Sequence, residues 1–74
     1  MSLGSNISRL RAKKHLSQGD LAEALDVSRQ SVSKWETDGS VPDLDKLVKL
    51  SRIFGVTLDE LVTGTPPENS SDDT

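Results

Sequence analysis

The chain has 74 residues, with 9 Lys and Arg against 12 Asp and Glu, no Cys and a single histidine, His15. That length allows one domain; the missing Cys excludes disulfides and thiolate zinc sites, and no run approaches the ~20 apolar residues of a membrane span. The charge is uneven: residues 1–36 carry six bases and four acids, and residues 37–74 carry three and eight.

Residues 1–5 read as a leader. It is too polar and short for a secretion signal, so a cytoplasmic domain is expected. Ile7, Leu10 and Arg11 stand at helical spacing and predict a first helix over 7–14. Ser17, followed three residues later by Asp20, resembles a capping box and opens a second helix over 17–25. Leu16 and Leu21 flank that cap as a hydrophobic staple. Leu21, Ala22 and Leu25 form its apolar face. Asp26 then takes the left-handed position that ends a helix.

A third helix is predicted over 28–37. Ser28 caps it, Val27 and Val32 make a second staple, and Val32, Trp35 and Glu36 face inward. Gly39 and Pro42 punctuate the following link. Leu44, Leu47, Val48, Ser51 and Phe54, with Leu50 beside them, predict a fourth helix over 43–54, closed by Gly55 as a left-handed residue. Thr57 with Glu60, and Val56 with Leu61, open a fifth helix over 58–63, its apolar series being Leu58, Leu61 and Val62. Residues 64–74 hold Glu68, Asp72 and Asp73 and no base. They read as a polar acidic tail or linker, expected to be disordered.

The joint between the second and third helices has only about three residues, Asp26 to Ser28. So short a link forces a steep crossing, as in a helix-turn-helix. With Val32 and Trp35 inward, Arg29, Gln30, Ser31, Ser33 and Lys34 are left facing out, and no carboxylate lies among them. Arg can pair with the O6 and N7 of guanine, and Gln with the N6 and N7 of adenine. Gln18 heads the second helix, where free N–H groups and the helix dipole favour an anion. Ser17, Ser28, Ser31 and Ser40 add short hydroxyls suited to phosphate.

The stretch from Leu16 through Glu36, with Pro42-Asp43-Leu44 and the run Leu47 to Leu61, resembles the phage-repressor family (lambda and 434 repressor and Cro-like, XRE-type). The likeness covers roughly residues 6–63. It implies an all-α, five-helix lambda-repressor-like domain with its third helix in the major groove of double-stranded DNA. Residue by residue, it implies phosphate contact for Gln18 and base reading for Arg29, Gln30 and Lys34, with Ser33 beside them. It also implies a partly buried ion pair between Arg11 and Glu36, two charges whose spacing already places them inward. A homodimer on a pseudo-palindromic operator is the family's usual form, with the fourth and fifth helices and the loop before Thr57 at the dimer contact. A transcriptional regulator, in the first place a repressor, encoded by a prokaryote or a phage, is the function implied. Three departures stand out. Many relatives have Gly where this chain has Asp26, Gly19 lies inside the second helix at a cost of ~1 kcal/mol against Ala, and Asp38 and Asp43 occupy a link that often carries bases.

The main alternative is a protein-interaction module, such as an antitoxin or coactivator built on the same bundle. No metal, cofactor or small-molecule site is expected. An enzyme has no support, since no nucleophile is paired with a base and no glycine-rich phosphate loop is present. Arg9, Lys13 and Lys14 read as a solvated face, Trp35 as core, and His15 as a helix-end residue without catalytic work.

Overall fold

The computed structural model describes residues 2–65, which form five helices: α1 Leu3–Lys13, α2 Gln18–Leu25, α3 Arg29–Glu36, α4 Leu44–Phe54 and α5 Leu58–Thr63. The expected acidic tail, apart from Gly64 and Thr65, lies outside the described residues. Four of the helices begin within a residue or so of their expected starts.

The exception is α1, which begins at Leu3 rather than at Ile7. Ser2 caps it, its hydroxyl accepting from Ser5 N–H while the Ser5 hydroxyl answers from the other side. Residues 3–5, read from the sequence as leader, are therefore the first turn of the helix. Tertiary contact explains the difference. Gly4 is buried, and the Asp38 carboxylate accepts its N–H at 3.1 Å. A carboxylate at a helix start also suits the macrodipole.

Three joints share one construction. At the end of α1, α2 and α4 a residue turns left-handed: His15 (φ 60°), Asp26 (φ 58°) and Gly55 (φ 70°). The apolar residue that follows returns its N–H to a carbonyl five positions back, Leu16 to Arg11, Val27 to Ala22 and Val56 to Ser51, at 3.0–3.1 Å. This is the 6→1 bond of a Schellman turn, which satisfies carbonyls the helix end leaves open. The next residue then caps the following helix: Ser17, Ser28 or Thr57. The Ser17–Asp20 box closes in both directions, whereas at Thr57 the hydroxyl accepts the Glu60 N–H at 3.0 Å. Each joint thus sets helix direction locally, with cap and turn together worth on the order of 1 kcal/mol or more.

The core gathers Ile7 and Leu10 of α1, Leu21, Ala22 and Leu25 of α2, Val32 and Trp35 of α3, Leu50 and Phe54 of α4, and Leu61 of α5. Leu16, Val27 and Val56, the outer halves of the three staples, pack against it. Three residues of the expected apolar series stay outside. Leu44, Leu58 and Val62 are 69%, 37% and 48% exposed. Asn6 is fully buried, and its amide nitrogen donates to the Leu61 and Val62 carbonyls at 3.0 and 3.2 Å. It ties the first helix to the last, and its two bonds fill carbonyls near the end of α5.

Candidate nucleic-acid interface

The third helix has eight residues, so its axis spans ~12 Å. Val32 and Trp35 are sealed in the core. That phase turns Arg29, Gln30 and Lys34 into solvent, with Ser31 and Ser33 half-buried at the flanks. Between Ser28 and Trp35 there is no carboxylate, so the outward face offers cationic and amide donors over its whole length.

The helix start is organised by hydroxyls. Ser28 Oγ accepts the Ser31 N–H at 3.1 Å and lies 3.0 Å from Ser31 Oγ. One bond between two hydroxyls uses one proton, so one O–H proton of the pair stays free for an outside acceptor. The N–H groups of Arg29 and Gln30, in the first turn, have no acceptor within the helix. At the other end, the Lys34 carbonyl accepts from Gly39 N–H at 2.7 Å and from Ser40 N–H at 3.4 Å. Ser40 is thereby folded back onto the last turn of α3, with its side chain exposed. Thr37 Oγ1 donates to the Ser33 carbonyl at 3.1 Å and closes the same turn.

The start of α2 lies beside that last turn. Gln18 Nε2 donates to Glu36 Oε1 at 3.1 Å. Glu36 is also held by Arg11, through Nε to Oε2 at 2.6 Å and Nη2 to Oε1 at 3.2 Å, while Arg11 Nη1 donates to the Leu16 carbonyl at 2.8 Å. Arg11 and Glu36 side chains are only 19% and 7% exposed. The two-pronged bond to Glu36 raises the Arg11 pKa, outweighing the opposing effect of burial. A bidentate guanidinium–carboxylate pair is strong and geometrically specific. Here it joins α1, the α1–α2 joint and α3 at one point. Ser17 Oγ accepts the Asp20 N–H at 2.9 Å, and the Ser17 N–H is returned to Asp20 Oδ2 at 3.0 Å. The open donors of this turn are therefore the Gln18 and Gly19 N–H groups and the second amide hydrogen of Gln18.

The two acids of the α3–α4 link have structural partners. Asp38, left-handed at φ 63°, turns Oδ1 to Gly4 N–H. Asp43 caps α4, with Oδ1 accepting the Lys46 N–H at 3.0 Å. Each carboxylate faces the positive end of a helix dipole, which offsets part of its charge. From the sequence, the two stand as acids in a link that often carries bases, with Asp43 at the expected start of the fourth helix. Sequence reasoning missed that Asp38 joins α3 to α1, although Asp38-Gly39 after a helix is a recognisable turn signal. Of the expected site residues, the fold groups Ser17 and Gln18 at one helix start and Ser28, Arg29, Gln30 and Ser31 at the next. Ser33 and Lys34 lie one turn further along α3, and Ser40 lies beyond its end.

A helix-turn-helix family model matches residues 7–61. The HTH-type transcriptional activator BcrR of Enterococcus faecalis is 42% identical over 64 residues, which are 86% of this chain and 31% of that protein. The HTH-type transcriptional regulator ImmR of Bacillus subtilis is 37% identical over 62 residues, 84% of this chain and 49% of its own length. The chain thus spans a half or less of either relative. Among solved structures, the P22 c2 repressor bound to a synthetic operator superposes with a TM-score of 0.82 at 28% identity, covering 88% of this chain and 98% of that one. The biofilm regulator SinR in complex with DNA gives 0.73 at 28% identity, over 80% of this chain and 95% of the other. Five helices in this order, the α2–α3 joint and the family match agree, and the chain belongs to the helix-turn-helix family of transcriptional regulators with a lambda-repressor-like fold.

Proposed function

We propose that this domain binds double-stranded DNA in a sequence-specific way, with α3 in the major groove. The observation that carries the reading is the exposed, carboxylate-free face of α3, flanked by the open donors at the start of α2. Phosphate contacts position such a domain, and base-edge contacts give it preference. Gln18, Ser17, Ser28, Ser31 and Ser40 are assigned to phosphate. Arg29, Gln30 and Lys34 are assigned to base edges, with Ser33 beside them. The Arg11–Glu36 pair holds the frame. The solved repressor–operator and SinR–DNA complexes support this assignment by likeness of fold.

Two finer readings accompany it. The domain acts as a homodimer on a pseudo-palindromic operator, with half-sites about 34 Å apart, one helical turn. Exposed Leu44 at the start of α4 and exposed Leu58 and Val62 on α5 support a second copy as the partner of those helices. The regulator works in the cytoplasm of a prokaryote or as a phage product, as relatives from Enterococcus and Bacillus suggest. Repression fits the P22 c2 likeness, while BcrR is named an activator. The names of these relatives give the protein-interaction alternative no support.

Amide shift mapping with a mixed-sequence duplex tests the assignment. Shifts should concentrate at Ser17–Gly19, Ser28–Lys34 and Ser40 and fade as salt rises, since phosphate contact is salt-sensitive. Shifts confined to α1 or α5, or none at low salt, would refute it.

A further inference from the structure

We infer that Glu36 is a positioning residue for DNA binding: it fixes the side-chain amide of Gln18 so that the second N–H of that amide is aimed outward at a phosphate. The inference rests on the proposed DNA-binding reading and adds a role for a residue that has no access to DNA itself.

The geometry points to it in three steps. First, Gln18 is the first residue of α2 and carries three rotatable bonds, so its amide has no intrinsic direction. The contact from Nε2 to Glu36 Oε1 at 3.1 Å removes that freedom. A primary amide has two N–H donors in one plane. Committing one to Glu36 fixes the plane and leaves the other free, pointing away from the carboxylate.

Second, Glu36 is itself immobile. Its side chain is 7% exposed, and Arg11 holds both of its oxygens, at 2.6 and 3.2 Å. Arg11 is anchored in turn to the Leu16 carbonyl at 2.8 Å, one residue before the Ser17 cap. The chain of contacts runs from α1 through α3 to the start of α2, and each link is a charge-assisted bond or a bond to fixed backbone.

Third, the charge arrangement suits a phosphate neighbour. A bare carboxylate in contact with a phosphate-binding amide would repel the phosphate. Pairing with Arg11 leaves Glu36 as an acceptor with its charge neutralised. Arg11 thus makes it possible for an acid to serve beside a DNA backbone.

A double-mutant cycle on a mixed-sequence duplex separates this role from a merely structural one. Affinity is read by fluorescence anisotropy well below each variant's Tm, which circular dichroism supplies. Gln18→Ala is expected to weaken binding by ~10-fold, as loss of one bond to a charged group should. Glu36→Met, which removes the acceptor, is expected to weaken it by a similar factor and to lower Tm. The double variant should bind no more weakly than either single one. Because Glu36→Met leaves Arg11 without its partner, Arg11→Met with Glu36→Met provides a second background; an apolar pair of similar size often folds as well as a buried ion pair. There, too, Gln18→Ala should have no further effect on affinity. Losses that multiply to ~100-fold in either background would overturn the positioning role and leave Glu36 with a structural one. Unchanged affinity on Gln18→Ala, in a protein that still binds duplex, would also overturn it without touching the DNA-binding reading. Absence of duplex binding by the unaltered protein would overturn both.

Discussion

Gly4→Ala is a small change with a large expected effect. A Cβ built on Gly4 would run into the carbonyl oxygen of Trp35, and it would lie 2.9 Å from the Glu36 carbonyl oxygen and 2.7 Å from Asp38 Oδ1. Two of these three atoms are backbone at the end of α3, so no side-chain rotation relieves them. Forcing α1 and α3 apart costs ~1–3 kcal/mol by analogy with overpacked cores. Loss of the Gly4–Asp38 bond adds about 1 kcal/mol. Alanine's better helix propensity returns about 1 kcal/mol. The net is a destabilisation of about 2 kcal/mol, which for a domain of this size lowers Tm by roughly 8–16 °C. Thermal unfolding followed by circular dichroism, with Trp35 fluorescence as a second probe, measures it. Gly19→Ala is the internal control. Its added Cβ would meet only Ser17 Oγ at 3.7 Å, an ordinary contact, so Tm should hold or rise, by no more than ~1 kcal/mol of stability. If Gly4→Ala melts at or above the unaltered protein, the close approach of α1 to the end of α3 is wrong, and so is the account of why α1 begins at Leu3.

Other substitutions test other parts of the account. Asp26→Gly should be neutral or stabilising by up to ~1–2 kcal/mol, because it relieves a non-glycine residue at φ 58°; a clear fall in Tm would give the Asp26 side chain a task of its own. Arg29→Ala should cost ~1–3 kcal/mol on the preferred duplex and relax preference at one base, whereas equal loss on all sequences would contradict base reading. Leu44→Glu with Leu58→Glu should leave Tm near its starting value and abolish cooperative occupation of two half-sites in a gel-shift titration; unchanged cooperativity would remove these residues from any dimer contact. The Asp20 carboxyl is held below its ordinary pKa by the Ser17 N–H and hydroxyl. Its contribution is present above the unfolded aspartate value of about 3.9 and is lost as pH falls through the lower folded value. Asp20→Asn should therefore flatten the acid limb of a stability–pH curve between those values, and an identical curve would mean that the capping box does not form.

What the sequence made legible was local chemistry. The left-handed turns at Asp26 and Gly55, the caps at Ser17, Ser28 and Thr57, and the inward phase of Val32 and Trp35 all follow from residue type and spacing within one or two turns. What it hid was contact between distant segments. Leu3 is in helical phase with Ile7 and Leu10 and packs against the core, but Gly4 argues against a helix on propensity alone, and the end of α3 supplies what that turn lacks. His15 makes the same left-handed joint as Asp26, but histidine is a weak turn signal, and only the Leu16–Leu21 staple hinted at it. Leu44, Leu58 and Val62 belong to the apolar series, yet no other part of the described chain covers them. At the site, spacing put Arg11 and Glu36 on inward faces, but a face does not name a partner. The bond from Gln18 to Glu36 depends on how α2 crosses α3, which no local pattern records.

The central claim is that α3 reads DNA sequence, and selection from a random duplex library tests it most directly. The unaltered protein and Arg29→Ala are run in parallel at two salt concentrations, and the bound duplexes are sequenced. The account predicts a two-fold motif for the unaltered protein, weaker enrichment at higher salt, and loss of one base preference in each half-site on Arg29→Ala. No enrichment at either salt, or an identical motif with and without Arg29, would contradict it.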